Sequence, residues 1–155
     1  MTMNSKSNLK KSKSFVERIH TVGRRKTSSA RVFLTPGTGA VTINGRSIDD
    51  YFGGCENHKY NAFKPLEVVG AEGQFDLMIT AKSGGITGQA GAIRLAIARA
   101  LIAFQMAQED LKEAVECAWH PLLKKGGYLT RNAAKVERQK VGQKGARADK
   151  QFSKR

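Results

Sequence analysis

Two rhythms of apolar and polar residues divide this chain. A two-residue alternation predicts strands over 17–24 and 29–35, the second closing on the buried run Arg31-Val32-Phe33-Leu34 and the turn cluster Pro36-Gly37-Thr38-Gly39. Val41-Thr42-Ile43 reads as a third short strand running into Asn44-Gly45, a strong tight-turn dipeptide. Ser47-Ile48-Asp49-Asp50 then has the form of a helix start. Ser47 can accept from a backbone N–H three residues on, and the aspartates suit the positive helix end. Gly53-Gly54 stops that helix, and a further helical stretch over 57–64 is expected to end at Pro65. Alternation returns at Phe75, Leu77 and Ile79, set against Asp76, Met78 and Thr80. The rhythm then changes to three and four. Ala90, Ile93, Ile97, Ala100 or Leu101, and Phe104 form one stripe of a helix over about 87–105, with Arg94 and Arg99 off the stripe. A second helix is predicted over about 109–120, opening with Glu109-Asp110 and showing Leu111, Val115, Ala118 and Leu122. Strands followed by a strand–helix–helix unit give an α+β, two-layer domain, with a mostly antiparallel sheet and helices on one face.

Charge adds arms to that body. The 155 residues carry a net +14, and the excess sits at the two ends. Residues 1–26 hold eight lysines and arginines against one acid, and residues 121–155 hold eleven against two; the stretch between is slightly acidic. Three regions follow: a flexible basic N-terminal extension over 1–16, a globular domain over 17–125, and an extended basic C-terminal tail over 126–155. Only Val136, Val141 and Phe152 are large and apolar in 135–155, too few to offset the entropy of ordering, so that stretch is expected to gain shape on a partner. The layout points to a polyanion.

Other partners fit less well. The tail lacks an apolar face for a membrane surface, and Gly126, Gly127, Gly142 and Gly145 oppose a long helix there. No apolar run approaches the ~18 residues needed to span a bilayer. The start MTMNSKSNLKKSKSF has no apolar core for a secretory signal; it is Ser-rich and basic like a transit peptide, but lacks arginine and an amphipathic pattern. Cys55-x-x-His58 and Cys117-x-x-His120 have the form of a four-ligand zinc site, but free thiols and an accidental pairing are the simpler reading: Cys117 falls on an apolar helix face, and His120 precedes Pro121 at a helix end. The glycines at 84, 85, 88 and 91 match neither a dinucleotide fingerprint nor a P-loop. No triad or paired-acid spacing stands out; His20 reads as an exposed strand residue, and Trp119 and Tyr128 as packing residues. The chain is therefore read as no enzyme, with no cofactor, no metal, no membrane partner and no small-molecule substrate.

Three groups of residues carry the nucleic-acid reading. Arg24, Arg25 and Lys26 form a dense patch before a strand; a solvated edge is the alternative to RNA phosphate there, but arginine forks match phosphate oxygens. At the Gly-rich loop, Gly85 exposes backbone at a helix start and Lys82 adds charge, although the glycines also serve a tight strand-to-helix turn. Lys124 and Lys125 stand at the end of the domain, and Arg131, Arg138, Lys140, Lys144 and Arg147 space cations through the tail as an extended strand tracking phosphates would need. Phe152 can stack on a base or pack.

Four blocks give the chain a resemblance. They are Gly23-Arg24-Arg25-Lys26-Thr27-Ser28-Ser29-Ala30-Arg31-Val32; Val41 to Arg46; Gly84-Gly85-Ile86-Thr87-Gly88-Gln89-Ala90-Gly91-Ala92-Ile93-Arg94 through Arg99-Ala100-Leu101; and Val136-Glu137-Arg138 onward to Gln151-Phe152-Ser153-Lys154-Arg155. Through them the chain resembles the universal small-subunit ribosomal protein nine family in its bacterial form, from about residue 18 to its end. It departs at Ser83, where the family's loop usually has a first glycine, and at Gly145 and Asp149, which thin the basic tail. The resemblance implies a left-handed β-α-β unit, as in the second domain of small-subunit ribosomal protein five. It implies a seat in the small-subunit head on 16S-type ribosomal RNA, among neighbouring head proteins. It also implies a tail that reaches peptidyl-site tRNA, with Ser153, Lys154 and Arg155 near the anticodon stem-loop. The implied location is ribosome-bound in the cytoplasm, and an organellar ribosome fits as well. A free-standing basic nucleic-acid-binding regulator is the alternative.

Overall fold

The computed structural model describes residues 18–153, apart from 110 and 112; the extension over 1–16 lies outside them. Four strands, β1 (Ile19–Arg25), β2 (Ser28–Pro36), β3 (Val41–Ile43) and β4 (Phe75–Lys82), form one sheet in the order β1-β2-β4-β3. β1 pairs with β2 and β2 with β4 antiparallel, and β3 pairs with β4 in parallel. The parallel pair is joined by a crossover through α1 (Ile48–Phe52) and α2 (Glu56–Val69). After β4 come α3 (Ile86–Glu109), a 3-10 turn at Ala114–Glu116 and α4 (Trp119–Lys125).

Local chemistry sets the first elements as the pattern predicts. The Asp50 N–H donates to Ser47 Oγ at 3.2 Å at the start of α1, and Gly53 at φ 59° ends it. Asn44 does more than turn the chain. Its side chain donates to the Ala81 carbonyl at 3.0 Å and accepts from the Ala81 N–H at 2.9 Å, locking the β3 turn to β4. At the other end, Asp76 Oδ1 accepts from the N–H groups of Thr38, Gly39 and Ala40 at 2.9–3.0 Å. Those bonds, Ala40 and Thr38 foremost, hold its carboxyl below the usual range.

The core lies between the sheet and α3. Alternate residues of β2 and β4 (Ala30, Val32, Leu34; Phe75, Leu77, Ile79, Ala81) are buried against Ile93, Ile97 and Leu101. The stripe expected on α3 is buried in full, but so are Leu95, Ala98 and Ile102 outside it. A helix apolar on nearly all sides is enclosed, and here α2 and α4 cover what the sheet leaves. Contrary to the expectation that no apolar run approaches membrane-spanning length, α3 is long and apolar enough to cross a bilayer by length and composition alone, with a mean hydropathy of 1.4 over 18 residues; 72% of that window is buried inside the domain.

Two helix boundaries differ from expectation, both at prolines. Pro65 does not end α2; it sits inside it, less than 2% exposed. Its ring leaves the Asn61 carbonyl without a helical donor, a cost of ~3 kcal/mol that burial of the ring helps to offset. The helix predicted over 109–120 is absent as such. α3 continues to Glu109, and a new helix begins at Trp119, so Pro121 occupies a first turn, where its missing N–H is no loss. His120 therefore stands at a helix start. The cap comes from α3: Gln105, 5% exposed, accepts the Trp119 N–H at 3.2 Å on Oε1 and donates to Glu109 at 3.0 Å.

Cys55 is exposed at the start of α2, and Cys117 is buried with its Sγ 3.9 Å from the Ile102 carbonyl, outside any helix. Among the described residues no group of three or more His, Cys, Asp or Glu is placed to hold a metal.

Candidate nucleic-acid interface

The basic block 24–26 forms the tip of the β1–β2 hairpin. Arg25 pairs with Ser28, so Lys26 and Thr27 make a two-residue turn, with Lys26 at φ 52°. The hairpin lies directly on the Gly-rich loop and the first turns of α3. A Cβ on Gly88 would stand 2.6 Å from Ser28 Oγ; one on Gly84 would strike Ser28 Oγ, and one on Gly91 the Arg25 side chain. Three of the four loop glycines thus make room for the basic hairpin. Gly85 alone faces open space, with the exposed Lys82 preceding the loop.

The loop is braced from α1. Gln89 donates to the Ser83 carbonyl at 3.2 Å and accepts the Tyr51 hydroxyl at 2.7 Å. Burial pushes the Tyr51 hydroxyl pKa up, opposed by the nearby Arg46. Neither Tyr51 nor Gln89 stands out as a site residue in the sequence, because their contact spans 38 residues. Ser83 sits at φ 62°, a region costly for any residue with a Cβ. Ser83→Gly is therefore expected to raise stability by about 0.5–1 kcal/mol, read as an upward shift of the urea midpoint.

The tail follows α4 without helix or strand through residue 153. It does not run straight. Arg147 donates two hydrogen bonds to Glu137, both 2.9 Å, closing a loop that also carries Lys144 N–H to the Ala148 carbonyl. The Arg147 bond, aided by Lys26, holds the Glu137 carboxyl below its ordinary range. The tail thereby meets the hairpin: Arg25, Lys26, Lys135, Glu137 and Arg147 line one groove of about 580 Å³. A second groove is lined by Val22, Arg24, Arg99 and Arg131, three guanidinium groups with no carboxylate among the lining residues. Arg99 is anchored there by donating to the Val22 carbonyl at 3.0 Å.

The candidate residues accordingly fall into sets. Arg25, Lys26 and Arg147 converge at the first groove, Arg24 and Arg131 at the second, and Lys82 flanks the loop beside Gly85. Lys124 and Lys125 stand on the last turn of α4, where cations suit the carbonyl end, and line neither groove. Arg138, Lys140 and Lys144 are exposed on the closed tail loop. Ser153 is exposed; Lys154 and Arg155 lie outside the described residues. Phe152 is 96% exposed, so it does not pack on the body. Tyr128 does pack, against Gly126 and with the Arg94 guanidinium 5.6 Å from its ring.

Two arginines of α3 lie beside these residues. Arg99 lines the second groove, and Arg94 donates to Asn61 at 2.8 Å. Burial and then the Arg25 charge hold Arg94 below the ordinary arginine range, while it remains a cation at neutral pH. In the sequence both stand off the apolar stripe and within the third block of the family resemblance. Cations gathered this closely repel one another, and the arrangement favours a bound polyanion.

Comparison with known proteins agrees with this chemistry. A model of the family described as ribosomal protein S9/S16 matches residues 23–155. The small ribosomal subunit protein uS9 of Anaeromyxobacter sp. strain K is 49% identical over 135 residues, covering 87% of this chain and 95% of the relative. The protein of the same name from Anaeromyxobacter dehalogenans matches to the same extent. A match from the middle of β1 to the C-terminus, taking in hairpin, glycine loop and tail together, settles the matter: the chain belongs to the ribosomal protein S9/S16 family.

Proposed function

We propose that this protein is a structural, non-enzymatic constituent of the small ribosomal subunit that binds 16S-type ribosomal RNA, ribosome-bound in the cytoplasm. One observation carries the RNA reading: the hairpin tip, Arg99 of α3 and the tail bring arginines and lysines of distant sequence into two grooves. Phosphate contacts of this kind give affinity with little base readout, so placement follows RNA shape and neighbouring head proteins. In this reading the β3–α1–α2–β4 crossover is the left-handed unit of ribosomal protein five's second domain. Arg24, Arg25, Lys26, Lys82, Gly85 and the cations of 124–147 face ribosomal RNA. The tail continues to peptidyl-site tRNA, where Ser153, Lys154 and Arg155 meet the anticodon stem-loop.

Deleting residues 153–155 tests the finer part. Small subunits carrying the truncated protein should assemble normally, co-migrate at 30S in a sucrose gradient, and hold peptidyl-site tRNA more weakly as salt rises. Equal tRNA retention by truncated and intact subunits across several salt concentrations removes the tRNA contact. Failure of the intact protein to co-migrate with 30S particles removes the ribosomal seat and favours a free-standing regulator.

A further inference from the structure

The sheet has a second face, turned away from α3. Register places its residues in rows across the strands: His20, Phe33, Met78 and Thr42 in one, Val22, Arg31 and Thr80 in the next, Arg24, Ser29 and Lys82 in the third. No helix among the described residues covers the first row. Met78 is 45% exposed, His20 is exposed and Phe33 half-buried. Flat groups gather at its centre: the Phe33 ring lies 4.8 Å from the His20 ring at a tilt of 30°, and the Arg18 guanidinium sits 4.5 Å from the Phe33 centroid and 3.8 Å from Met78 Sδ. Arg31, Arg24 and Lys82 are exposed on the rows beyond, leading toward the hairpin tip. The only acid in the four strands is Asp76, whose Oδ1 is already taken by three backbone N–H groups.

The geometry points to this open face as a second RNA surface, on which an unpaired stretch of ribosomal RNA stacks bases against the His20–Phe33–Arg18 platform and lays its phosphates along Arg31, Arg24 and Lys82. Aromatic and guanidinium planes accept any base, and arginines beside them bind the backbone. An acidic protein would find the charges complementary, but would leave the stacked planes at the centre unused. A duplex would present phosphates without reaching that centre. A looped or single-stranded segment uses both. The face is continuous with the grooves described above through Arg24, so one RNA can pass from hairpin to sheet. The inference rests on the ribosomal RNA reading and adds the RNA's local form and the residues that stack on it.

The test uses the full-length protein and a 16S-type ribosomal RNA transcript carrying 4-thiouridine. Irradiation should cross-link peptides bearing His20, Phe33 or Met78. Phe33→Leu should lower affinity about five- to one-hundredfold, the loss of one stacked base. Arg31→Gln, at an exposed position that leaves the core intact, should reduce the slope of log affinity against log salt by about 0.7–0.9. Cross-links confined to the hairpin and tail, with both variants within twofold of the parent protein, overturn the inference and leave the ribosomal RNA reading standing. So does a protein neighbour cross-linked at Met78 in intact subunits with no RNA there. If a variant with Arg24, Arg25 and Lys26 neutralised also binds as tightly as the parent, the ribosomal RNA reading itself fails.

Discussion

Gly23→Ala is expected to be the most damaging single methyl group that can be added to this domain. Gly23 lies in β1 opposite Ala30, where α3 comes closest to the sheet. A Cβ there would overlap the Ala92 carbonyl oxygen and stand 2.7 Å from the Ala96 nitrogen. Both obstacles are helix backbone, so no side chain can rotate away. Just beside this point Thr21 Oγ1 donates to the Ala96 carbonyl at 2.8 Å and Arg99 donates to the Val22 carbonyl at 3.0 Å, tying the same turn of α3 to β1. Relief requires α3 to move off the sheet, breaking those bonds and opening space around Ile93 and Ile97, both fully buried. Overpacking typically costs about 1–3 kcal/mol, and the upper end, about 3 kcal/mol, is expected here. Thermal unfolding should show a fall in Tm of roughly ten degrees or more. Gly85→Ala is the control: a Cβ there meets nothing within 4 Å, and its backbone is not left-handed, so Tm should barely change. Equal Tm values for the two variants would mean that β1 and α3 are not in the close contact described.

The contrast between these glycines marks what a linear reading of the chain reaches. The strand rhythm at Phe75, Leu77 and Ile79, the Ser47 cap and the stripe on α3 are local signals, and each is found where the pattern puts it. The purpose of the Gly-rich loop is not local. Gly84, Gly88 and Gly91 answer to Ser28 and Arg25, some sixty residues away, and only the folded chain shows that the loop makes room for the hairpin. The two proline errors have the same origin. Pro65 is tolerated where its ring is buried, and the start of α4 at Trp119 is capped by Gln105 from another helix. Propensity rules weigh neighbours in sequence, and both helices are decided by neighbours in space. The charge layout was plain from the sequence. That Arg24, Arg99 and Arg131 share a groove was not, since strand, helix and tail each contribute one.

The hairpin tip carries the second large expected effect. Changing Arg24, Arg25 and Lys26 together to glutamine keeps each stem as far as Cδ, the atom of Arg25 nearest to Gly91, and removes three cations. Each phosphate contact contributes roughly 0.7–0.9 to the slope of log affinity against log salt. Loss of three contacts should flatten that slope by about 2–3. At ~0.1 M salt the same arithmetic gives an affinity for 16S-type RNA weaker by about a hundred- to a thousandfold. Because the lost contacts are to phosphate, the loss should be alike for ribosomal RNA segments of different sequence. The fold should survive: Arg24 and Lys26 are exposed, and none of the three belongs to the buried cluster beneath the sheet. A melting temperature close to the parent's therefore accompanies the expected result and separates lost charge from lost structure. Removing the tail cations Lys135 and Arg147 in the same way should flatten the slope less, since Arg147 is already committed to Glu137 by two hydrogen bonds and that carboxylate offsets its charge in the groove. A hairpin variant that keeps the parent's salt slope would show that its cations face solvent, and the two grooves would then have no claim to the RNA backbone.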